Sequence, residues 1–256
     1  MFLEERQAKI LELLAENGKV LVKELAEMFS VTEDSIRKDL NALEADGQLK
    51  RTYGGAVPVL AKLQITSASR RRISNVEAKR QIAAAAVKLI TPGRLIFLDA
   101  STISIAIAEI LERRDAECKI LTNMVDVLVM LARNPKIQII FAGGQINPSR
   151  DGFIDGLNLE FTARFRPDIS FVGVVGLDVK KNSLTTNGVD SGLHKAKILE
   201  ISKSSYVMAE SRKFGVEGNY KFATLENVHG LITETEPAAE ISKAVRKMNL
   251  EIILPD

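Results

Sequence analysis

Two groups of residues in this 256-residue chain have the types and spacing to do chemistry. The first is Ser35, Arg37, Lys38 and Asn41, which share the side of a helix opposite Ile36, Leu40 and Leu43. Arg offers a forked pair of donors to guanine, Asn pairs with adenine in two places, and Lys or Ser fixes a helix on phosphates. These are groove-reading side chains. The second group lies in loops that follow apolar runs: Asp99-Ala100-Ser101-Thr102-Ile103-Ser104, Thr122-Asn123, Gly143-Gly144 and Gly173-Val174-Val175-Gly176-Leu177-Asp178. The first of these loops opens a helix, whose unpaired N–H groups and positive dipole end suit a phosphate. Glycine in the others permits close ligand approach.

The elements that must hold the first group are legible from Leu3 onward. Leu3, Ile10, Leu11, Leu13 and Leu14 predict a helix that ends at Gly18. Lys19-Val20-Leu21 is extended, and Val22 to Phe29 forms a second, two-turn helix with Leu25, Met28 and Phe29 on one face. Ser30-Val31 makes a tight turn. Thr32 caps the third helix, Glu33 and Asp34 suit its positive end, and Gly47 stops it. Asp39, Glu44 and Asp46 are expected on its flank. Gln48 to Thr52 then reads as a strand, Tyr53-Gly54-Gly55 as a turn and Ala56 to Val59 as a returning strand. The pattern is a winged helix-turn-helix over residues 1–61, with Thr32 expected at the DNA beside Ser35, Arg37, Lys38 and Asn41, and with Lys50, Arg51 and Tyr53 placed to touch phosphate or the minor groove.

Amphipathic helices and Gly-Gly turns occur in any domain, and a charged helix face is often merely solvated. Here the order decides: three helices, a cap, a cationic face and a hairpin follow one another within sixty residues. Charge alone points the other way. Residues 1–61 carry eight basic and eleven acidic residues, a net of −3, whereas Lys62 to Arg80 carry six basic residues and Glu77, a net of +5. DNA binding therefore rests on local placement of cations. Residues 62–75, including Arg70-Arg71-Arg72, read as a basic linker that is either solvated or adds phosphate contacts.

The run from Val22 to Ala56 closely resembles the helix-turn-helix of the DeoR family of transcription regulators. Glu24-Leu25-Ala26, Ile36-Arg37, Asp39-Leu40, Leu43-Glu44, Gly47, Leu49, Arg51 and Gly54-Gly55-Ala56 fall in family order. Lys38 stands where the family has Arg, and Tyr53 where it has His; both keep a polar donor. The resemblance implies an operator-binding regulator, expected to repress genes of sugar metabolism under control of a sugar phosphate.

From Val76 helices alternate with apolar strands, with strands predicted at Leu95–Leu98, Lys119–Leu121, Ile137–Phe141, Ile169–Val174, Tyr206–Ala209, Gly230–Thr233 and Glu251–Leu254. This is the rhythm of a Rossmann-like α/β domain over residues 76–256, with a parallel sheet covered by helices. Ligands of such sheets gather beyond the carboxyl ends of the strands, where the four loops lie. The domain looks like the DeoR effector domain, itself similar in fold to ribose-5-phosphate isomerase. That resemblance implies that Lys79, Asp99, Ser101, Thr102 and Ser104 hold a sugar phosphate, and that Asn123, Gly143, Gly144, Asp178 and Lys195 line the rest. Ala100 and Ser101-Thr102 depart from the family's Gly and Thr-Thr, and Glu210 stands for Asp and is given no role beyond the rim.

An isomerase or transferase with a DNA-binding extension is the alternative, with Asp99, Asp178 and Lys195 as its chemical groups. The resembling isomerases carry two Asp and an adjacent Glu where this chain has Gly176-Leu177-Asp178-Val179, so catalysis is not expected. A winged helix used for protein contacts alone would lack the Arg, Lys and Asn trio. Cys118, His194 and His229 form no metal-ligand cluster, so no metal or cofactor is expected. The charged start, Met1 to Arg6, and the lack of a membrane-length apolar run fit a cytoplasmic protein. Operator DNA, a sugar phosphate and further copies of the chain, as a homodimer or homotetramer, are the expected partners.

Overall fold

The computed structural model describes residues 3–17, 19–57, 73–114, 117–147 and 151–255, and the chain divides into two compact units, Met1–Gln64 and Ile65–Asp256. The linker expected at 62–75, with its triple arginine, lies outside the described residues except for 73–75.

In the first unit, α1 (Leu3–Asn17), α2 (Val22–Phe29) and α3 (Glu33–Ala45) bury Ile10, Leu14, Leu25, Ile36, Leu40 and Leu43 in one core. Ser30, at φ 54°, turns the chain between α2 and α3. Thr32 caps α3, its side chain accepting from the Ser35 N–H at 3.2 Å. Strands β1 (Val20–Leu21), β2 (Lys50–Thr52) and β3 (Gly55–Val57) form an antiparallel sheet in the order β1-β3-β2. The first wing strand starts at Lys50 rather than Gln48, and of the returning strand Pro58 and Val59 lie outside the described residues. Asp39 corrects the sequence reading: it is not on a solvated flank but 2% exposed, gripped by Arg6 Nε at 2.6 Å and Nη2 at 3.1 Å. A buried carboxylate is tolerated only when paired in this way, so the bridge fixes α1 against α3.

The second unit begins with α4 (Val76–Lys88) and continues through β4 (Leu95–Leu98), α5 (Thr102–Glu112), β5 (Cys118–Thr122), α6 (Val125–Leu131) and β6 (Ile137–Phe141). After α7 (Gly156–Thr162) come β7 (Ile169–Gly173), β8 (Gly176–Asp178), β9 (Ser183–Thr186), α8 (Val189–Ile201), β10 (Ser204–Met208), β11 (Tyr220–Ala223), β12 (Gly230–Ile232), α9 (Ala239–Lys247) and β13 (Glu251–Ile253). Seven parallel strands follow the order β13-β12-β10-β7-β4-β5-β6. Alternation along β4 sends Ile96 and Leu98 into a core with α4, α5 and α6, and Phe97 into a second core with Ile198 of α8 and Val245 of α9. The strand order reverses between β4 and β7, which places a topological switch point there.

The sequence reading missed a second sheet, antiparallel β11-β9-β8, whose strands β8 and β9 follow β7 and whose β11 follows β10. Its central strand, Ser183–Thr186, is buried throughout and so lacks the polar alternation that marks a strand with one solvated face. Among the described residues no helix is long and apolar enough to cross a membrane.

Asp168 clamps the amino ends of the strands. Its carboxylate accepts from the Leu95 N–H at 3.0 Å, Lys203 Nζ at 2.7 Å and Arg94 Nη1 at 3.2 Å. Lys203 above all, then the Leu95 N–H, holds the carboxyl down at about 2 against an ordinary 3.8. A depressed carboxyl pKa contributes stability that is present above the ordinary value and lost as the pH falls through the folded one. Asp168→Asn is expected to lower the urea midpoint at neutral pH and to flatten its fall between about pH 4 and about pH 2. An unchanged acid slope would show that the clamp contributes nothing.

Candidate functional site

On the first unit, Arg37, Lys38 and Asn41 are exposed along α3 and Ser35 is half-buried beside the cap. Arg37 is already engaged, donating from Nη1 to Asp34 Oδ1 at 2.7 Å and from Nη2 to Glu33 Oε2 at 2.5 Å. Arg51 donates through Nη1 to Asn41 Oδ1, and its backbone N–H reaches Glu44 Oε1 at 2.7 Å, which ties the wing to the back half of α3. Lys38 and Lys50 are exposed and have no ion pair among the described residues. Tyr53 stands fully exposed in the β2–β3 turn. All eight side chains predicted for DNA therefore lie on α3, its cap or the wing, but the two arginines are held within the unit.

On the second unit the central group is Asp99, directly after β4 and 1% exposed. Its Oδ2 accepts the Gly173 N–H at 3.1 Å, across the switch point, and the ammonium of Lys195 from α8. A Cβ at Gly173 would lie 2.8 Å from Ser101 Cβ, so only glycine lets β7 end this close to the β4 loop. Ser101 caps α5, accepting the Ser104 N–H at 3.1 Å, and the two hydroxyls are 3.0 Å apart. Thr102, Lys79, Arg80, Asp126 and Arg133 line a groove of about 400 Å³ between α4, α5 and α6. Lys79 is buried and donates to the Ser74 carbonyl.

Lys213, in a short 3-10 turn beyond β10, donates to the Val174 carbonyl at 2.7 Å. Burial, opposed by Glu210 and reinforced by the charges of Arg212, Lys195 and Lys79, brings its ammonium down to about 8. Glu210 is 2% exposed and accepts from Asn75 Nδ2 at 2.9 Å and Arg212 Nε at 2.9 Å. Burial pushes its carboxyl up, but Arg212, Lys213 and Asn75 outweigh it and leave the group below its ordinary value. Three ammonium groups thus converge at the carboxyl edge of the sheet around two buried carboxylates. Such a cluster is suited to an anion with several oxygens.

A model of the DeoR-like helix-turn-helix domain matches residues 6–60, and one of the DeoR C terminal sensor domain matches residues 74–235. The chain belongs to the DeoR family of transcriptional regulators. It is 34% identical over 241 residues, 93% of this chain and 92% of the relative, to the uncharacterized HTH-type transcriptional regulator YulB of Bacillus subtilis (strain 168). It is 28% identical over 250 residues, 98% of each chain, to the glycerol-3-phosphate regulon repressor of Escherichia coli (strain K12). The chain also has a partial likeness to ribose 5-phosphate isomerase A of Methanocaldococcus jannaschii, with a TM-score of 0.41 and 18% identity over 55% of each chain.

Of the DeoR effector residues expected from the sequence, the described bonds bring Asp99, Ser101, Ser104 and Lys195 together at the switch point, with the charge of Lys79 acting on Lys213. Asn123 is differently employed. Its Nδ2 donates to the Phe153 carbonyl at 3.0 Å and its own carbonyl accepts the Phe153 N–H at 2.9 Å, so it pins the loop after β6, although its Oδ1 is buried without a partner among the described residues. Gly144, at φ 146°, makes room for the Asp155 carboxylate that caps α7; a Cβ there would lie 2.5 Å from Asp155 Oδ1. Gly143 is exposed, with nothing within reach of a Cβ. Asp178 ends β8 and accepts the Lys181 N–H at 3.0 Å, so it braces the β8–β9 turn rather than joining Asp99.

Sequence reasoning missed Lys213, Asn75, Arg212 and His194, and it placed Glu210 only at the rim. The signal available was position: Glu210 to Lys213 follow an apolar strand at the same sheet edge as Asp99. His194, next to Lys195 on α8, is 2% exposed, packs on Phe97 at a ring separation of 5.7 Å, and has no partner for either ring nitrogen among the described residues. Burial lowers its pKa to about 4 from 6.5, outweighing the nearby Asp99 charge. A buried neutral histidine costs stability as the pH falls between the unfolded and folded values, here from about 6.5 to about 4. The thermal midpoint is expected to drop across that interval, and His194→Leu to remove that component of the drop. An identical pH profile in the variant would refute the assignment.

Proposed function

We propose that this DeoR regulator is a cytoplasmic repressor of sugar-metabolism genes whose operator affinity is set by a phosphorylated sugar or polyol. On this reading α3 enters the major groove, with Arg37 and Asn41 at base edges and Thr32, Ser35 and Lys38 on the flanking backbone. Lys50, Arg51 and Tyr53 of the wing take phosphate or the adjacent minor groove. Two or four copies pair their heads on repeated half-sites. The observation that carries the sensor half is the junction of Asp99, Gly173 and Lys195 at the switch point, with Lys79 and Lys213 converging on it. The name of the E. coli relative, a glycerol-3-phosphate regulon repressor, supports the same ligand class.

The geometry supports binding over turnover. A proton-abstracting base beside a carbon acid needs a free carboxylate. Asp99 is buried and ion-paired, its Oδ2 accepting from both Lys195 and the Gly173 N–H, and Asp178 belongs to a hairpin turn.

Operator fragments selected by the wild-type protein provide the test. Arg37→Ala with Lys38→Ala is expected to weaken operator binding by about 10- to 100-fold in an anisotropy titration, the loss of one bidentate base contact and one phosphate contact. Unchanged affinity would overturn the DNA assignment. Calorimetry with glycerol 3-phosphate, fructose 1-phosphate and glucose 6-phosphate is expected to detect binding that Lys195→Met abolishes. No binding by any of them, or turnover of one, would overturn the sensor reading.

A further inference from the structure

The end of a recognition helix that approaches DNA is its amino end, and here the first two residues are both acidic, Glu33 and Asp34. Their carboxylates occupy both terminal nitrogens of Arg37, at 2.5 Å and 2.7 Å. The same fork is what a guanine edge requires for bidentate readout. We propose that Glu33 and Asp34 are specificity-determining residues: they hold Arg37 away from non-specific DNA and release it to a matching base.

All three side chains are substantially exposed, at 47%, 46% and 80% for Arg37, Glu33 and Asp34, and ion pairs so exposed are weak and easily exchanged. A guanine in the groove replaces both bonds at once in the planar geometry that the guanidinium prefers. A lone phosphate on a random sequence offers charge without that geometry, and it must approach two carboxylates of its own sign. The penalty therefore falls mainly on binding modes that use phosphate alone, which supply essentially all of non-specific affinity. The net charge of −3 over residues 1–61 acts in the same direction. Arg51, bonded to Asn41, is held in a comparable way, so the free unit presents Lys38 and Lys50 as the exposed cations of this face without an ion pair among its described residues.

The test uses the full chain with Glu33→Gln plus Asp34→Asn, measured by anisotropy on a wild-type-selected operator and on a scrambled duplex of equal length and composition. The scrambled duplex is expected to bind about tenfold more tightly than with wild type and the operator less than about threefold more tightly, with a steeper salt dependence on the scrambled duplex. Glu12→Gln, which removes an exposed carboxylate paired with Lys9 on α1, controls for general charge and is expected to leave the ratio of the two affinities unchanged. Arg37→Lys, which keeps the charge and loses the fork, is expected to weaken the operator at least tenfold while leaving the scrambled duplex within about twofold. Circular dichroism melts establish that each variant is folded, and Glu33→Gln alone serves where the double variant is not. Equal factors on both duplexes, or a loss of operator affinity showing that the carboxylates themselves contact bases, would overturn the proposal.

Discussion

The second unit depends on how one buried carboxylate is satisfied. Asp99 sits where the strand order reverses, removed from water, and a charge in that position is stable only if it is paired and hydrogen-bonded. Its two partners come from different places in the sequence: the N–H of Gly173 ends β7, and Lys195 projects from α8. Satisfying Asp99 therefore fixes β4, β7 and α8 relative to one another. The constraint extends to residue type, because a side chain at Gly173 would meet Ser101, whose hydroxyl is needed to cap α5. Asp168 performs the equivalent task at the opposite edge of the same strands, but in contact with solvent and with exposed partners. The edge that is buried carries the cation cluster, and the edge that is wet carries an ordinary clamp.

The first unit solves a related problem on a smaller core. Asp39 belongs to the helix that also carries the side chains proposed to meet DNA, and its bond to Arg6 orients that helix against α1. The remaining acids of α3 are used on its surface, Glu33 and Asp34 on Arg37 and Glu44 on the backbone of the wing. A net-acidic DNA-binding unit is thus not a contradiction. Its carboxylates are distributed as partners for particular donors, and what reaches solvent is a face whose cations differ in how readily they can be drawn away.

How much of this was legible follows from the length and exposure of each element. The helices of both units were readable because each has a buried stripe and, at α3 and α5, a hydroxyl cap, Thr32 and Ser101, whose role is local. The parallel strands were readable as short apolar runs between helices. The β8–β9–β11 sheet was not, because strands of three and four residues are too short to show a period, and β9 is buried throughout. In the candidate site, Asp99, Ser101 and Ser104 were legible as a group because their loop follows a strand and opens a helix, whereas Lys195 entered only through the family resemblance. Gly144 and Asn123 were legible as loop residues at the same edge, but the bonds they make there were not: glycine and amide side chains also pack one loop on another, and their partners, Asp155 and Phe153, lie in a later segment. Glu210 and Asn75 lie 135 positions apart, and nothing local announces that one holds the other.

That long-range bond bears on how a sensor unit reports its state. A ligand changes a distant affinity only through different contacts in two arrangements. Ser74 and Asn75 are among the first described residues of the second unit, and both are bonded into the charge cluster, Ser74 through Lys79 and Asn75 through Glu210. Asn75 also sits at φ 48°, a backbone state that asparagine tolerates better than most residues but that still needs local support. An anion that draws on Lys79 or Lys213 competes with the carbonyl of Ser74 or with Glu210 for the same donors. At the start of α4, therefore, the bonds that hold the first described residues of the second unit and those that hold the charge cluster are the same set.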